Sequence, residues 1–180
     1  MKTKISLGLI LLASIFSGCK DGKSVDDLKV VKPEADPNFI VTIDVIAKKN
    51  DDFALYYTVD GSINFFSIPP VWQGFKGSES IQQITFVVPE QTFPTQIRLD
   101  FGMKQNQPDI VLQKIKMSHN GKDFIISGPD IFKYFVADPN QCTADPATGT
   151  IKANMKDGKR LTPSIYPNPD ALGKGIKTIE

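Results

Sequence analysis

The 180-residue chain has little with which to do chemistry. It contains one histidine, two cysteines, one tryptophan and two arginines, Arg98 and Arg160. One imidazole and two thiols leave too few soft ligands for a transition-metal centre of the usual kind. A net charge of +1 with no basic block excludes a nucleic-acid-binding surface. No Gly-x-Ser-x-Gly, no His-Glu-x-x-His and no phosphate-cradling glycine loop occurs, and no two carboxylates stand out as an acid/base couple. The chain therefore reads as a non-enzyme. It also lacks an apolar run near the roughly 20 residues that a membrane-spanning helix needs. Thirteen glycines and thirteen prolines, with 41% apolar residues, suit a turn-rich β fold with an ordinary core.

What is present begins with a leader. Lys2 and Lys4 precede a mostly apolar run from Ile5 to Phe16, which ends in Phe16-Ser17-Gly18-Cys19. This is a secretion signal. Its end resembles the lipobox of bacterial lipoproteins, with Phe16 in place of the more usual Leu. The resemblance implies cleavage before Cys19, a diacylglycerol thioether on its sulfur, and residues 1–19 as the signal peptide. Residues 20–38 are polar, with Pro33 and Pro37, and read as a flexible tether. Lys20-Asp21 resembles part of the surface-export signal of Bacteroidota lipoproteins. The expected address is the bacterial cell envelope, as an outer-membrane lipoprotein, with the periplasmic and outward faces both open.

Beyond the tether, apolar residues alternate. Phe39, Val41, Ile43, Val45 and Ala47 share one face, as do Phe53, Leu55, Tyr57 and Val59. Three segments inside Ile84–Met117 repeat the pattern: Ile84, Phe86 and Val88; Ile97, Leu99 and Phe101; and Ile110 to Met117. Period two is the mark of half-buried strands, and three such segments in a row predict an antiparallel sheet covered by a second one. Ile63–Phe75 is irregular and aromatic, and reads as a loop near a binding face. Pro129, Ile131, Tyr134 and Phe135 predict one short helical turn. Residues 138–149 read as loop, Ile151–Met155 and Leu161–Tyr166 as late strands, and 170–180 as a frayed tail. The fold class is all-β: a two-sheet antiparallel jelly-roll sandwich of about eight strands over residues 39–169, with a closed barrel as the alternative.

The strands Leu55-Tyr56-Tyr57, Phe86-Val87-Val88-Pro89, Ile97-Arg98-Leu99-Asp100-Phe101-Gly102 and Val111-Leu112-Gln113-Lys114-Ile115 resemble galactose-binding-domain-like β-jelly rolls of bacterial envelope proteins. The Asn120-Gly121-Lys122 turn, the Phe132–Phe135 segment and the Pro163–Tyr166 close fit as well. Asp100-Phe101-Gly102 stands where such modules often have Asp-Pro-Gly. The resemblance implies a carbohydrate-binding module, though fold alone does not assign function.

Candidate binding residues are Trp72, Arg98, Tyr56 and Phe66, with Phe65 and Phe75 beside them in sequence and Glu79, Gln82 and Gln83 as polar partners. Flat rings pack on the C–H faces of sugars, and a guanidinium fork binds hydroxyls or carboxylates. Trp72 sealing the end of the sandwich is an equal reading, and Arg98 paired with Asp100 is the plainer one. Asp51, Asp52 and Asp60 read first as solvated turn carboxylates; with loop carbonyls they are the weaker candidates for a structural calcium. His119 reads as an exposed turn residue, and Cys142 as a thiol without a disulfide partner. The expected partners are the membrane, through the lipid, and either a glycan or an envelope protein, the last making the chain a structural or protein-interaction subunit. A Cys19→Ser chain should leave the membrane fraction on cell fractionation; continued membrane attachment would remove the basis for the anchor.

Overall fold

A computed structural model describes residues 36–180. The signal peptide, Cys19 and most of the tether lie outside the described residues. The strands are β1 (Ile40–Ile46), β2 (Asp51–Thr58), β3 (Val71–Phe75), β4 (Gln82–Val87), β5 (Gln96–Phe101), β6 (Ile110–His119) and β7 (Lys122–Ser127). They continue as β8 (Phe135–Ala137), β9 (Cys142–Asp145), β10 (Thr150–Ala153), β11 (Met155–Lys156), β12 (Lys159–Arg160) and β13 (Ser164–Pro167). Two helices complete the fold, α1 (Ile131–Tyr134) and α2 (Pro169–Lys177).

The strands form two main antiparallel sheets. The first runs β4-β1-β6-β10-β9, with β7 also paired to β6; the second runs β3-β2-β5-β13-β8. Each sheet turns its apolar face to one shared core. Val41, Ile43, Val45, Ile84, Phe86, Ile115 and Met117 meet Phe53, Leu55, Ile97, Leu99, Phe101 and Ile165 there, all essentially without solvent exposure. Full burial of such side chains stabilises by about 1.5–3 kcal/mol each, which makes this core the main source of stability. The all-β, sandwich-like character expected from the alternation is present.

The segments β4, β5 and β6 do not pair with one another, although they were expected to form a sheet in succession. β4 and β6 both flank β1 in the first sheet, whereas β5 lies in the second. The connections 88–95 and 102–109 are too long for tight hairpins and carry the chain across the core. The inward residues of β6 also shift phase, from Ile110 and Leu112 to Ile115 and Met117. Gln113 is the extra residue of a β6 bulge opposite Asp44 and Val45 of β1, and it absorbs that shift, so both halves of β6 keep their apolar side chains inside.

The C-terminal segment is not frayed. α2 starts after Asn168, with Pro169 in its first turn, and buries Leu172 and Ile176; Ile179 beyond it is buried too. Residues 138–149 are not all loop either, because β9 pairs with β10. The helical turn is where it was expected, as a 3-10 turn at Gly128–Asp130 leading into α1.

The two ends of the sandwich are built differently. At the near end, Thr95 N–H donates to Thr58 O, Asn120 N–H donates to Asp36 O, and Phe39 packs edge-on against Phe93 at 5.4 Å. This end gathers the start of β1, loops 59–70 and 88–95, the β6–β7 turn and α2. The far end holds residues 47–50, loop 102–109 and the β11–β12 hairpin.

The seating of α2 is testable. A Cβ on Gly175 would lie 2.1 Å from Phe124 Cζ. Gly175→Ala, stabilising in an open helix, should here cost about 1–3 kcal/mol in urea unfolding. Adding Phe124→Leu should recover much of the loss.

Candidate functional site

The register that buries Leu55, Leu99 and Ile165 sends their neighbours outward. Tyr56 stands opposite Arg98, and the pairing of Ile165 with Leu99 sets Tyr166 on the other side of Arg98. The Arg98 guanidinium carbon lies 4.6 Å from the centroid of each tyrosine ring. Its edge is filled by Asp100: Nε donates to Oδ1 at 2.8 Å and Nη2 to Oδ2 at 2.6 Å. Nη2 also lies 3.5 Å from Ser164 Oγ. The Arg98 and Asp100 side chains are 13% and 9% exposed. Burial works against the Arg98 charge, but the hydrogen bonds and charge of Asp100 outweigh it and hold the guanidinium pKa above the ordinary arginine value. Burial also pushes the Tyr166 phenol up, with Arg98 pulling the other way.

The next row across the same face reads Trp72, Ala54, Asp100, Ser164. Trp72 is 49% exposed on the edge strand β3. It therefore does not seal the sandwich. Structure brings Trp72, Tyr56 and Arg98 onto one face and adds Tyr166, which the sequence showed only as the end of a strand. The plainer reading of Arg98 holds as well: its fork is closed on Asp100, and only what the pair leaves free can meet a ligand.

The other aromatics part company. Phe65 is buried and packs edge-on against Tyr166 at 6.0 Å, so loop 59–70 leans on the lower part of this face. Phe66, its neighbour, is 90% exposed on that loop. Phe75 packs against Phe53 at 4.5 Å on the core side. The proposed polar partners are engaged elsewhere: Glu79 pairs with Lys48, Gln82 donates to Ala47 O, and Gln83 donates to Asp44.

Asp51 is a correction to the reading as a solvated turn residue. It is 2% exposed, and its oxygens accept from the N–H groups of Asp52, Met103 and Lys104 and from Gln107 Nε2. Gln107 in turn exchanges two hydrogen bonds with the backbone of Lys49. The carboxylate thus pins loop 102–109 to the start of β2. A Cβ on Gly102, whose φ is +78°, would lie 2.7 Å from Asp51 Oδ2, so glycine is required there. Arg160 braces the same loop, donating to the carbonyls of Gly102 and Phe101. Asp52 faces the other side of β2, and Asp60 lies past the C-terminus of β2, at the near end. Among the described residues, no three His, Cys, Asp or Glu side chains converge to hold a metal.

His119 is not a freely exposed turn residue. It packs against Phe93 at 4.9 Å, with Nδ1 3.1 Å from Ile179 O. Cys142 is buried, donates to Ser164 O at 3.3 Å, and has its thiol pKa pushed up by burial. It lacks the thiolate character of a nucleophile.

Cavities of about 300, 240 and 160 Å³ lie respectively beside Phe93 and Ile176, between β3 and β4, and beneath loop 59–68; none of the three is lined by Trp72, Tyr56 or Arg98. No protein-family model matches the chain, and comparison with curated proteins and with solved structures finds no match.

The closed Arg98–Asp100 pair makes two stability predictions. Arg98→Ala strands a nearly buried carboxylate and should cost about 3–5 kcal/mol in urea unfolding. Arg98→Ala with Asp100→Ala should cost less than the two single changes added together. At the far end, Asp51→Asn replaces an acceptor by an amide donor facing N–H groups and should cost about 1–3 kcal/mol.

Proposed function

We propose that the chain is a lipid-anchored protein of the bacterial envelope whose β-sandwich, of jelly-roll type, binds carbohydrate without catalysis. The carrying observation is the outer face of the second sheet. A half-exposed Trp72 shares a row with Asp100 and Ser164, beside the stacked Tyr56, Arg98 and Tyr166. An indole on a sheet edge gives a sugar ring a flat apolar surface. The half-buried phenols of Tyr56 and Tyr166 supply directional partners for hydroxyls, while the buried Asp100 and Ser164 are engaged by Arg98 and keep the row rigid. The rows cross the strands, so a run of sugars lying over the face would meet Trp72, Tyr56 and Tyr166 in turn.

The non-catalytic part of this reading rests on where the two most reactive side chains lie. Cys142 is shielded, and His119 is packed against phenylalanines. The lipid anchor rests on the Ser17-Gly18-Cys19 motif.

An array of bacterial and host glycans, followed by calorimetry on the best ligand, tests this reading. Trp72→Ala should weaken binding by roughly tenfold or more, as expected for loss of an aromatic platform, while Met155→Ala at the far end should leave it unchanged. No glycan bound, or equal binding by Trp72→Ala, would overturn the proposal. A stoichiometric envelope protein captured in place of any glycan would replace it with the protein-interaction reading.

A further inference from the structure

Loop 59–70 carries a patch that the glycan face does not use. Val59 is 50% exposed, Ile63 53% and Phe66 90%, all within eight residues. Single exposed apolar residues are ordinary, but three on one loop with an almost bare phenylalanine call for a partner. The loop is held in shape from within. Thr58 Oγ1 donates to Ser62 O at 2.7 Å, and Gly61 N–H donates to Thr95 Oγ1 at 2.8 Å. Phe65, turned inward against Tyr166, anchors the chain that turns Phe66 outward.

The place of this patch indicates its partner. Gly61 and Phe93 line one cavity together with Ile176 and Lys177 of α2. Phe93 packs on Phe39 and His119, and Asn120 holds Asp36. The apolar loop and the point where the tether enters the domain therefore share the near end. Asp36 follows Cys19 by only 17 residues.

We propose that loop 59–68 docks the near end of the sandwich onto the lipid bilayer, with Phe66 and Ile63 entering the headgroup–acyl boundary. This rests on the lipid-anchor reading. Docked so, the strands stand up from the membrane, and the face bearing Trp72 and Tyr56 remains open at the side. The anchor alone would fix the height of the domain; the loop would fix its orientation.

The test uses the full mature chain, isolated with its lipid and placed in vesicles of phosphatidylethanolamine and phosphatidylglycerol with brominated acyl chains. One variant carries Phe66→Trp in a Trp72→Phe background; the control carries Met155→Trp in the same background, at the far end. Circular dichroism and urea midpoints establish that both fold. Fluorescence of the Phe66→Trp chain should fall by roughly half or more relative to unbrominated vesicles, as expected for a side chain about 5–10 Å into the boundary, and that of the control should not. Equal quenching in the two chains while both remain on the vesicles would overturn the docking and leave the anchor standing. A chain that leaves the vesicles and carries no acyl mass at Cys19 would overturn the anchor, and the docking with it.

Discussion

One register serves two faces. In the second sheet, Leu55, Leu99 and Ile165 are held across from one another inside the core, with no measurable exposure. Because successive side chains point to opposite sides of a strand, the same alignment fixes Tyr56, Arg98 and Tyr166 in a row outside. A slip by one residue would drive Arg98 into the core and Leu99 into water. The apolar term therefore sets the geometry of the polar row, and the bidentate Arg98–Asp100 pair then locks the row's own orientation. The row is a consequence of the core and not an independent source of fold stability.

The two ends of the sandwich are finished by different physics. At the far end, backbone donors of loop 102–109 converge on the buried Asp51, and Arg160 takes up the carbonyls of Phe101 and Gly102. A buried carboxylate is tolerated there because several N–H groups solvate it in place of water. At the near end the finish is aromatic and apolar: Phe39, Phe93, His119 and the buried side of α2 close the core. One polar atom there, Gln96 Oε1, is buried without a partner among the described residues, while its amide nitrogen donates to Pro169 O.

Much of this was legible in the chain, for a definite reason. Alternation reports which face a side chain takes, so Ile84, Phe86, Val88, Ile97, Leu99 and Phe101 were recognisable as core. Alternation does not report which strand is the neighbour, so β4, β5 and β6 could not be assigned to alternating sheets. The β6 bulge at Gln113 was foreshadowed by the three-residue step from Leu112 to Ile115, a break in period two that periodicity alone reads as noise. In α2 the spacing of Leu172, Ile176 and Ile179 is helical, but the polar character of the tail suggests a frayed end, and Gly173 and Gly175 lower its helix propensity. Both glycines have tertiary reasons: each lacks a Cβ where Gln96 or Phe124 comes close. Asp51 looked like a solvated turn because its partners, Met103, Lys104 and Gln107, lie more than fifty residues away in the chain. For the candidate site, Trp72, Tyr56 and Arg98 were individually visible, whereas Tyr166 joined them only through pairing that no local pattern encodes.

The most direct measurement on the central claim is the register itself, read by backbone nuclear Overhauser effects in the isotope-labelled chain. The account predicts cross-strand contacts that align Tyr56 with Arg98 and Leu55 with Leu99, and in the first sheet Ile43 with Ile115. Contacts aligning Tyr56 with Ile97 or Leu99 would place the tyrosine–arginine row on no common face and contradict the account.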